Sequence, residues 1–342
     1  MQTGCKYGTH RVIEPKGVLP QPATKICNDM TIFDNEILID VQALNIDSAS
    51  FTQIEEECHH DVEKIKNRIL EIVEEKGKMQ NPVTGSGGML IGTIEKIGEA
   101  LRGKTDLNEG DKIATLVSLS LTPLKIDEII DIKPDIDRVE IKGKAILFES
   151  GIYAVLPNDM EENLALAALD VAGAPAQARK LVKEGDSVLV LGAAGKSGML
   201  CCYEAKKKAK NVIGLVKDEK EKEFLDKTGF CHNVIVVDAR KPVEVLNKVL
   251  EVNNGEEIDL AINVVNVPNT EMSTILPVKD DGTVYFFSMA TSFTKSALGA
   301  EGVGKDVNMI IGNGYTKGHS DVTLEDLRES ETLRNIFKDL YL

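Results

Sequence analysis

The sequence predicts an α/β chain, with a doubly wound parallel sheet of six strands in its C-terminal half and a smaller β-rich domain before it. Three observations carry that expectation. Near the middle, a buried strand runs into a helix through three glycines spaced by three. After them, short apolar runs alternate with amphipathic stretches. Before them, the texture changes to short alternating strands with few long helices.

In chain order, Phe33 to Leu44 reads as the start of a strand pair, Glu55 to Gly77 as a charged helical stretch, and Leu90 to Ile97 and Lys112 to Val117 as further strands. Gly98 and Gly110-Asp111 read as turns. Asn163 to Leu181 is an alanine-rich helical connector, which places the domain boundary close to Pro157. The run Ser187-Val-Leu-Val-Leu-Gly192-Ala-Ala-Gly195-Lys-Ser-Gly198 follows. Its strand, Ser187 to Leu191, is apolar after its first residue, as a strand covered on both faces should be. Gly192 allows the tight turn, Gly195 lets the backbone come close to a phosphate, and Gly198 lets the helix pack on its own strand. The N–H groups of that helix start, around Ala194, Lys196 and Ser197, then face an anion.

The pattern continues with a helix from Met199 to Lys208, a strand Asn211 to Val216, a helix Asp218 to Lys227 and a strand Asn233 to Val237. A helix Pro242 to Val252 and the strands Ile258 to Val264, Thr283 to Phe287 and Val307 to Ile311 complete six candidate strands. A nucleoside-triphosphatase loop would need glycine where Val190 stands. An ordinary strand-to-helix turn without ligand stays open, because glycine also serves close packing.

The 342 residues suggest two domains, and a net charge of −15 argues against nucleic acid or an anionic membrane surface as a partner. No run is apolar enough to span a bilayer, and the start Met-Gln-Thr-Gly-Cys lacks a signal-peptide core, so a cytoplasmic location is expected. The six cysteines read as reduced thiols. Cys58-His59-His60 reads as a solvated helix face, since adjacent helical residues point in different directions and a zinc site needs three or four converging ligands.

Several segments in order resemble the medium-chain dehydrogenase/reductase superfamily. They are Ile91-Gly-Thr-Ile-Glu-Lys-Ile-Gly98, Leu107-Asn-Glu-Gly-Asp-Lys-Ile113, Ile152-Tyr-Ala-Val-Leu-Pro157, Asp170-Val-Ala-Gly-Ala-Pro-Ala176 and Glu184-Gly-Asp-Ser-Val-Leu-Val190. The glycine loop is similar to that of its quinone-reductase branch. The resemblance implies a GroES-like domain over residues 1–156, a Rossmann domain over 157–312, and a return segment, 313–342, packing on the first domain. One departure matters: where zinc members carry Gly-His-Glu, this chain has Thr84-Gly-Ser-Gly-Gly-Met89, and Ala43 to Ser50 lacks the early cysteine ligand. No metal is therefore expected.

A narrower resemblance, to the L-erythro-3,5-diaminohexanoate dehydrogenase family of lysine fermentation, rests on Gly4-Cys-Lys-Tyr-Gly-Thr-His-Arg-Val-Ile-Glu-Pro through Pro22, Asn45 to Phe51, and Gly85 to Met89. It implies a small diamino acid substrate, oxidation of its 3-amino group with NAD, and release of 5-amino-3-oxohexanoate and ammonia. Two alternatives share the loop: a zinc-free enoyl or quinone reductase using NADPH, and a dinucleotide-binding protein without turnover.

NAD recognition calls for an acid at the end of the strand Asn211 to Val216, but Val216 stands there, followed by Lys217 and Asp218. Asp218 suits the ribose hydroxyls of NAD, whereas Lys217 suits the 2′-phosphate of NADP. Among substrate contacts, Tyr7, His10 and Arg11 are N-terminal candidates, with Arg11 suited to a carboxylate; an ordinary surface ion pair is the alternative. Asn45, Asp47 and Ser48 lie where superfamily members place residues beside the nicotinamide, and Asp47 or His10 is the candidate base. On the cofactor side, Asn263, Val264, Ser288 and Met289 follow strand ends. His319 reads as a surface residue. The apolar edge Asp306 to Ile311 predicts at least a homodimer.

Overall fold

The computed structural model describes residues 2–341, and the chain divides into two compact units after Asp159. The first unit opens with a short antiparallel pair, β1 (Val12–Glu14) and β2 (Lys25–Ile26). There follow β3 (Glu36–Asn45), the helices α1 (Ser48–Glu57) and α2 (Val62–Lys76), and the strands β4 (Met89–Ile97), β5 (Lys112–Thr115), β6 (Leu124–Lys133), β7 (Arg138–Phe148) and β8 (Tyr153–Val155). Strands β3 to β8 form one antiparallel sheet in the order β6-β7-β3-β4-β5-β8. Its core joins Ile39, Leu44 and Ile46 to Ile65, Ile69 and Ile72, which recur along one face of α2.

The second unit continues with α3 (Glu162–Leu169), α4 (Gly173–Leu181), β9 (Ser187–Leu191), α5 (Lys196–Lys206), β10 (Asn211–Val216), α6 (Glu219–Thr228) and β11 (Asn233–Val236). It is completed by α7 (Pro242–Val252), β12 (Ile258–Asn263), α8 (Glu271–Ile275), β13 (Val278–Phe286), α9 (Phe293–Val303), β14 (Asn308–Ile311), α10 (His319–Glu329) and α11 (Glu331–Tyr341). All pairings in its sheet are parallel, in the order β11-β10-β9-β12-β13-β14, so the strand order reverses between β9 and β12. The unbroken apolar run of β9 is explained by burial on both faces. Val188 and Val190 enter one core, and Leu189 and Leu191 the other.

Three expectations are corrected. The connector Asn163 to Leu181 is two helices, interrupted at Asp170–Ala172. Cys58, His59 and His60 form the turn between α1 and α2, not a helix face: both histidines have positive φ and exposed side chains, while Cys58 is buried. The return segment contributes to the core of the second unit. Leu324, Leu327, Leu333 and Phe337 are buried within the second unit, and Leu327, Leu333 and Phe337 share a core with Leu164, Ala178 and Met199. His319 is buried as well, edge-on to Tyr315, and burial holds its pKa below the usual value. Among the described residues, no helix is long and apolar enough to cross a membrane.

The C-terminal helices are clamped to α4 and α5 by a buried ionic cluster. Arg179 forks onto Glu204 with two 2.8 Å bonds and reaches Asp326 at 3.3 Å, and Lys207 binds Asp326 at 2.8 Å and Glu204 at 2.7 Å. The Glu204 and Asp326 carboxyls share both cations, so the charge on one disfavours ionisation of the other. Burial and the Glu204 charge push the Asp326 carboxyl up to about 8. Burial opposes the charge on Glu204 too, but Arg179, Asp326 and Lys207 outweigh it and hold that group at about 2.

A carboxyl raised in the folded state stabilises fully below its unfolded pKa of 3.8, and that contribution is lost as pH climbs through about 8. Asp326→Asn keeps an acceptor for Lys207 and offers Glu204 a permanent N–H. Urea unfolding at about pH 5.5 and 8.5 should show stability of the native chain falling with pH, the variant falling less, and a gain for the variant of roughly 1–3 kcal/mol at the higher pH. Equal slopes for both proteins would contradict the raised Asp326 pKa.

Candidate functional site

The loop between β9 and α5 performs the three glycine roles separately. Gly192 has φ +81°, a conformation that favours glycine. At Gly198 a Cβ would lie 2.1 Å from the Gly192 carbonyl oxygen and 2.7 Å from Ala193 Cα, so α5 can start against its own strand only without a side chain. At Gly195 a Cβ would meet only the Gly192 oxygen, at 3.4 Å. Gly195 is the N-cap of α5 and is exposed, with no side-chain cap, so the first-turn N–H groups of Lys196, Ser197 and Gly198 and the positive end of the helix dipole suit an anion. Ala194 is half-buried in the loop, and the Lys196 ammonium lies 3.1 Å from Asp170.

Gly192 and Gly195 open on a cleft of about 670 Å³ whose far wall carries Lys217, Glu221, Asp238 and Arg240. It lies at the carboxyl ends of the strands, and its size and apolar floor fit a nucleotide. Val264 lines it. Asp218 does not. Its carboxylate caps α6 through the Glu221 N–H at 2.8 Å, a common use of aspartate at a helix start. The acids facing the cleft are instead Glu221, 3.0 Å from the Lys217 ammonium, and Asp238, doubly bonded to Arg240 at 2.9 and 2.8 Å. Arg240 holds the Asp238 carboxyl down to about 2. Neither Asp238 nor Arg240 was anticipated, because they sit at the end of β11, beyond the strand that the motif points to.

The other strand-end candidates divide. Asn263 is fully buried and structural: its amide donates to Thr270 and Thr274 at 2.9 and 2.8 Å and accepts from the Val265 N–H at 3.2 Å. Ser288 is half-buried and accepts from the Ala290 N–H at 3.2 Å, whereas Met289 projects, 91% exposed.

In the first unit, the N-terminal candidates build a fold element instead of a binding surface. Arg11 is 3% exposed, and its guanidinium is spent internally: Nε and Nη2 fork onto Glu36 at 2.7 and 2.6 Å, and further bonds go to the carbonyls of Asp29 at 2.6 Å and Thr31 at 2.8 Å. No face is left for a substrate carboxylate. Burial works against the Glu36 charge, but Arg11, the Phe33 N–H and His10 together keep its pKa below the usual value. His10 is committed as well, because Nδ1 accepts from the Cys5 N–H at 3.0 Å and Nε2 meets Glu36 at 2.9 Å. It is therefore not a base for substrate. Gly4 is the residue that the His10 ring covers, since a Cβ there would lie 2.4 Å from it. Tyr7 is half exposed beneath the Lys6 ammonium.

The Asn45 to Ser50 segment is different. Leu44 and Ile46 enter the core, so Asn45 and Asp47 project from the opposite side of the extended chain. Asp47 caps α1, one carboxylate oxygen accepting the Ser50 N–H at 3.0 Å. Its other oxygen, Oδ2, and Asn45 Oδ1 are buried with no hydrogen-bond partner among the described residues. Ser48 bonds Asp137, and Ser50 meets the Thr84 hydroxyl at 2.5 Å. Gly88, φ +90°, lies against this segment; a Cβ there would be 2.0 Å from the Asn45 carbonyl oxygen and 2.7 Å from the Asp47 nitrogen. The loop that carries Gly88 is organised by buried Asn81, which binds Ser50 O, Gln53 and the Val83 and Thr84 N–H groups.

Residues 10–157 match the family model for the L-erythro-3,5-diaminohexanoate dehydrogenase N-terminal domain. Over 342 residues, the chain is 75% identical to a protein named L-erythro-3,5-diaminohexanoate dehydrogenase from Acetoanaerobium sticklandii, covering 99% of each chain. It is 72% identical over 345 residues to a protein of the same name from Fusobacterium nucleatum, covering 100% of each. The chain belongs to the L-erythro-3,5-diaminohexanoate dehydrogenase family. Membership makes it an oxidoreductase using a nicotinamide dinucleotide. Its fold is that of a mycobacterial quinone oxidoreductase, with TM-score 0.53 and 17% identity over 89% of this chain and 81% of that one. The matched N-terminal region contains both the Arg11–Glu36 pair and the Asn45–Asp47 segment. The family signature before Pro22 thus includes buried structural residues.

Gly195→Val should leave the melting temperature nearly unchanged while abolishing NADH binding in a fluorescence titration, because the new side chain enters the open space beside the uncapped helix start that suits a phosphate. Gly198→Ala should instead lower stability by about 1–3 kcal/mol, because its methyl group meets backbone. Unaltered NADH affinity in folded Gly195→Val would contradict the loop's role.

Proposed function

We propose that the protein catalyses NAD-dependent oxidative deamination of L-erythro-3,5-diaminohexanoate to 5-amino-3-oxohexanoate and ammonia, in the fermentative breakdown of lysine. The full-length 75% identity carries the substrate assignment, and the open Gly195 backbone above the cleft supports the cofactor. The backbone from Gly192 to Gly198 would hold the dinucleotide's pyrophosphate, and Lys217, Glu221, Asp238 and Arg240 would face its adenosine end. Bound there, the nicotinamide supplies a hydride acceptor.

Asp47 is the proton acceptor of choice in the first unit. Its Oδ1 is fixed by the α1 cap, its Oδ2 has no donor, and His10 is already committed. Deprotonating the 3-ammonium frees the nitrogen lone pair, which drives hydride loss from C3 and leaves an iminium; water adds to it, and ammonia departs. An amine therefore needs a base where an alcohol benefits from a Lewis acid. That fits the chemistry of Thr84 to Met89, which offers hydroxyls and backbone where zinc members carry imidazole and carboxylate. NAD is preferred to NADP because both cations at the ribose end are already neutralised, Lys217 by Glu221 and Arg240 by Asp238. A 2′-phosphate would have to break those pairs.

Chelator-treated protein should reduce NAD with 3,5-diaminohexanoate at the untreated rate, and NAD faster than NADP. Asp47→Asn should lose at least about 100-fold in kcat while keeping its NADH affinity. Loss on chelation that zinc alone restores, or full activity in Asp47→Asn, would overturn this chemistry.

A cytoplasmic homodimer completes the proposal. Edge strand β14 leaves Ile311 61% exposed, and parallel sheets ordinarily protect such edges. Light scattering at micromolar concentration should give about twice the 37.3 kDa chain mass, and a stable monomer would remove the idea.

A further inference from the structure

We infer that Asn45 and Asp47 act as a paired acceptor that reads the N–H donors of the substrate's reacting amine, so that Asn45 sets the preference for amine over alcohol. The inference rests on the substrate reading above and adds a residue to it. Its basis is an accounting of hydrogen bonds. Among the described residues, Asn45 Oδ1 and Asp47 Oδ2 are buried without a donor, on the same side of one short extended segment, while Leu44 and Ile46 take the core side. Buried acceptors are nearly always satisfied, and each one that is not costs stability. Two together, on a segment pinned by the α1 cap and by Gly88, mark a place where donors arrive from outside the chain.

The chemistry of the pair selects the ligand. The unpaired atoms are an amide oxygen and a carboxylate oxygen, both acceptors. A protonated amine brings three N–H donors and satisfies both; once Asp47 Oδ2 has taken one proton it carries its own O–H, and the amine keeps an N–H for Asn45 Oδ1. A hydroxyl has a single donor and would leave one acceptor buried and unpaired. Sites built to bond a group reject analogues lacking it far more strongly than apolar pockets do, for that reason. Asn45 is thus a specificity residue, distinct from the base beside it.

The test compares L-erythro-3,5-diaminohexanoate with 5-amino-3-hydroxyhexanoate as substrates for the full-length protein, Asn45→Ala and Asn45→Asp. In Asn45→Ala, kcat/KM for the diamine should fall at least tenfold, and the amine-to-alcohol ratio should fall at least tenfold. Asn45→Asp, which keeps two acceptors, should restore much of the ratio. NADH affinity and melting temperature serve as controls for folding. A folded Asn45→Ala with an unchanged ratio overturns the inference while leaving the substrate reading intact. If the unsubstituted protein fails to oxidise the diamine, the substrate reading falls. The pair is then judged by thermal shift with 3-aminobutanoate against 3-hydroxybutanoate in the presence of NADH. Larger stabilisation by the amine, lost in Asn45→Ala, supports it; equal shifts in both proteins overturn it.

Discussion

The close contact of α5 with the end of β9 is the constraint on which the nucleotide-binding unit depends. With no atom beyond Cα at Gly198, the helix begins directly over the Gly192 carbonyl, and the strand, the turn and the helix start become one rigid piece. The same packing brings Met199, Cys201 and Cys202 into the interior, where they meet core residues of β9 and β10. Arg179, Glu204, Lys207 and Asp326 then fix the far end of α5 against the C-terminal helices. A helix whose first N–H groups have no side-chain cap is thereby held at both ends.

The first unit solves a different problem with buried charge. Arg11 and Glu36 are 3% and 1% exposed, and removing ions from water is costly unless every donor and acceptor finds a partner. Here the guanidinium also takes up the carbonyls of Asp29 and Thr31, and the carboxylate also takes up the Phe33 N–H. The pair therefore ties the segment before β3 to the strand itself. The contrast with Asn45 and Asp47 is instructive. In the same unit, one set of polar groups is fully matched within the chain and another is left with two acceptors open.

Much of the fold could be read in the sequence because some local requirements admit few residues. The turn at Gly192, the contact at Gly198 and the doubly covered β9 each leave a mark at a fixed position. Strand β6 escaped notice for a physical reason: an extra residue interrupts it between Ile126 and Glu128 and again between Ile129 and Asp131, which breaks the two-residue alternation that reveals a strand; β7 keeps that alternation, with Val139, Ile141 and Ala145 buried, and could have been read. The roles of Arg11, His10, Asp218 and Asn263 were not legible for another reason. A sequence displays a side chain's donors and acceptors but not their partners. Glu36 lies 25 residues from Arg11, and the threonines that occupy Asn263 come from the next helix and the residue before it. The positions of Asp47 and Lys217, by contrast, could be read, because each follows a recognisable strand.

The Arg11–Glu36 pair also bears on how this chain can change over time. Either charge alone would be stranded in the interior, so a lineage that replaces one residue must pass through an intermediate sequence destabilised by about 3–5 kcal/mol, which is comparable to much of a domain's stability. Single steps away from the pair are closed unless stability has first accumulated elsewhere. The two positions should be inherited as a unit, and their identity preserved for reasons of folding even in descendants that have turned to other substrates.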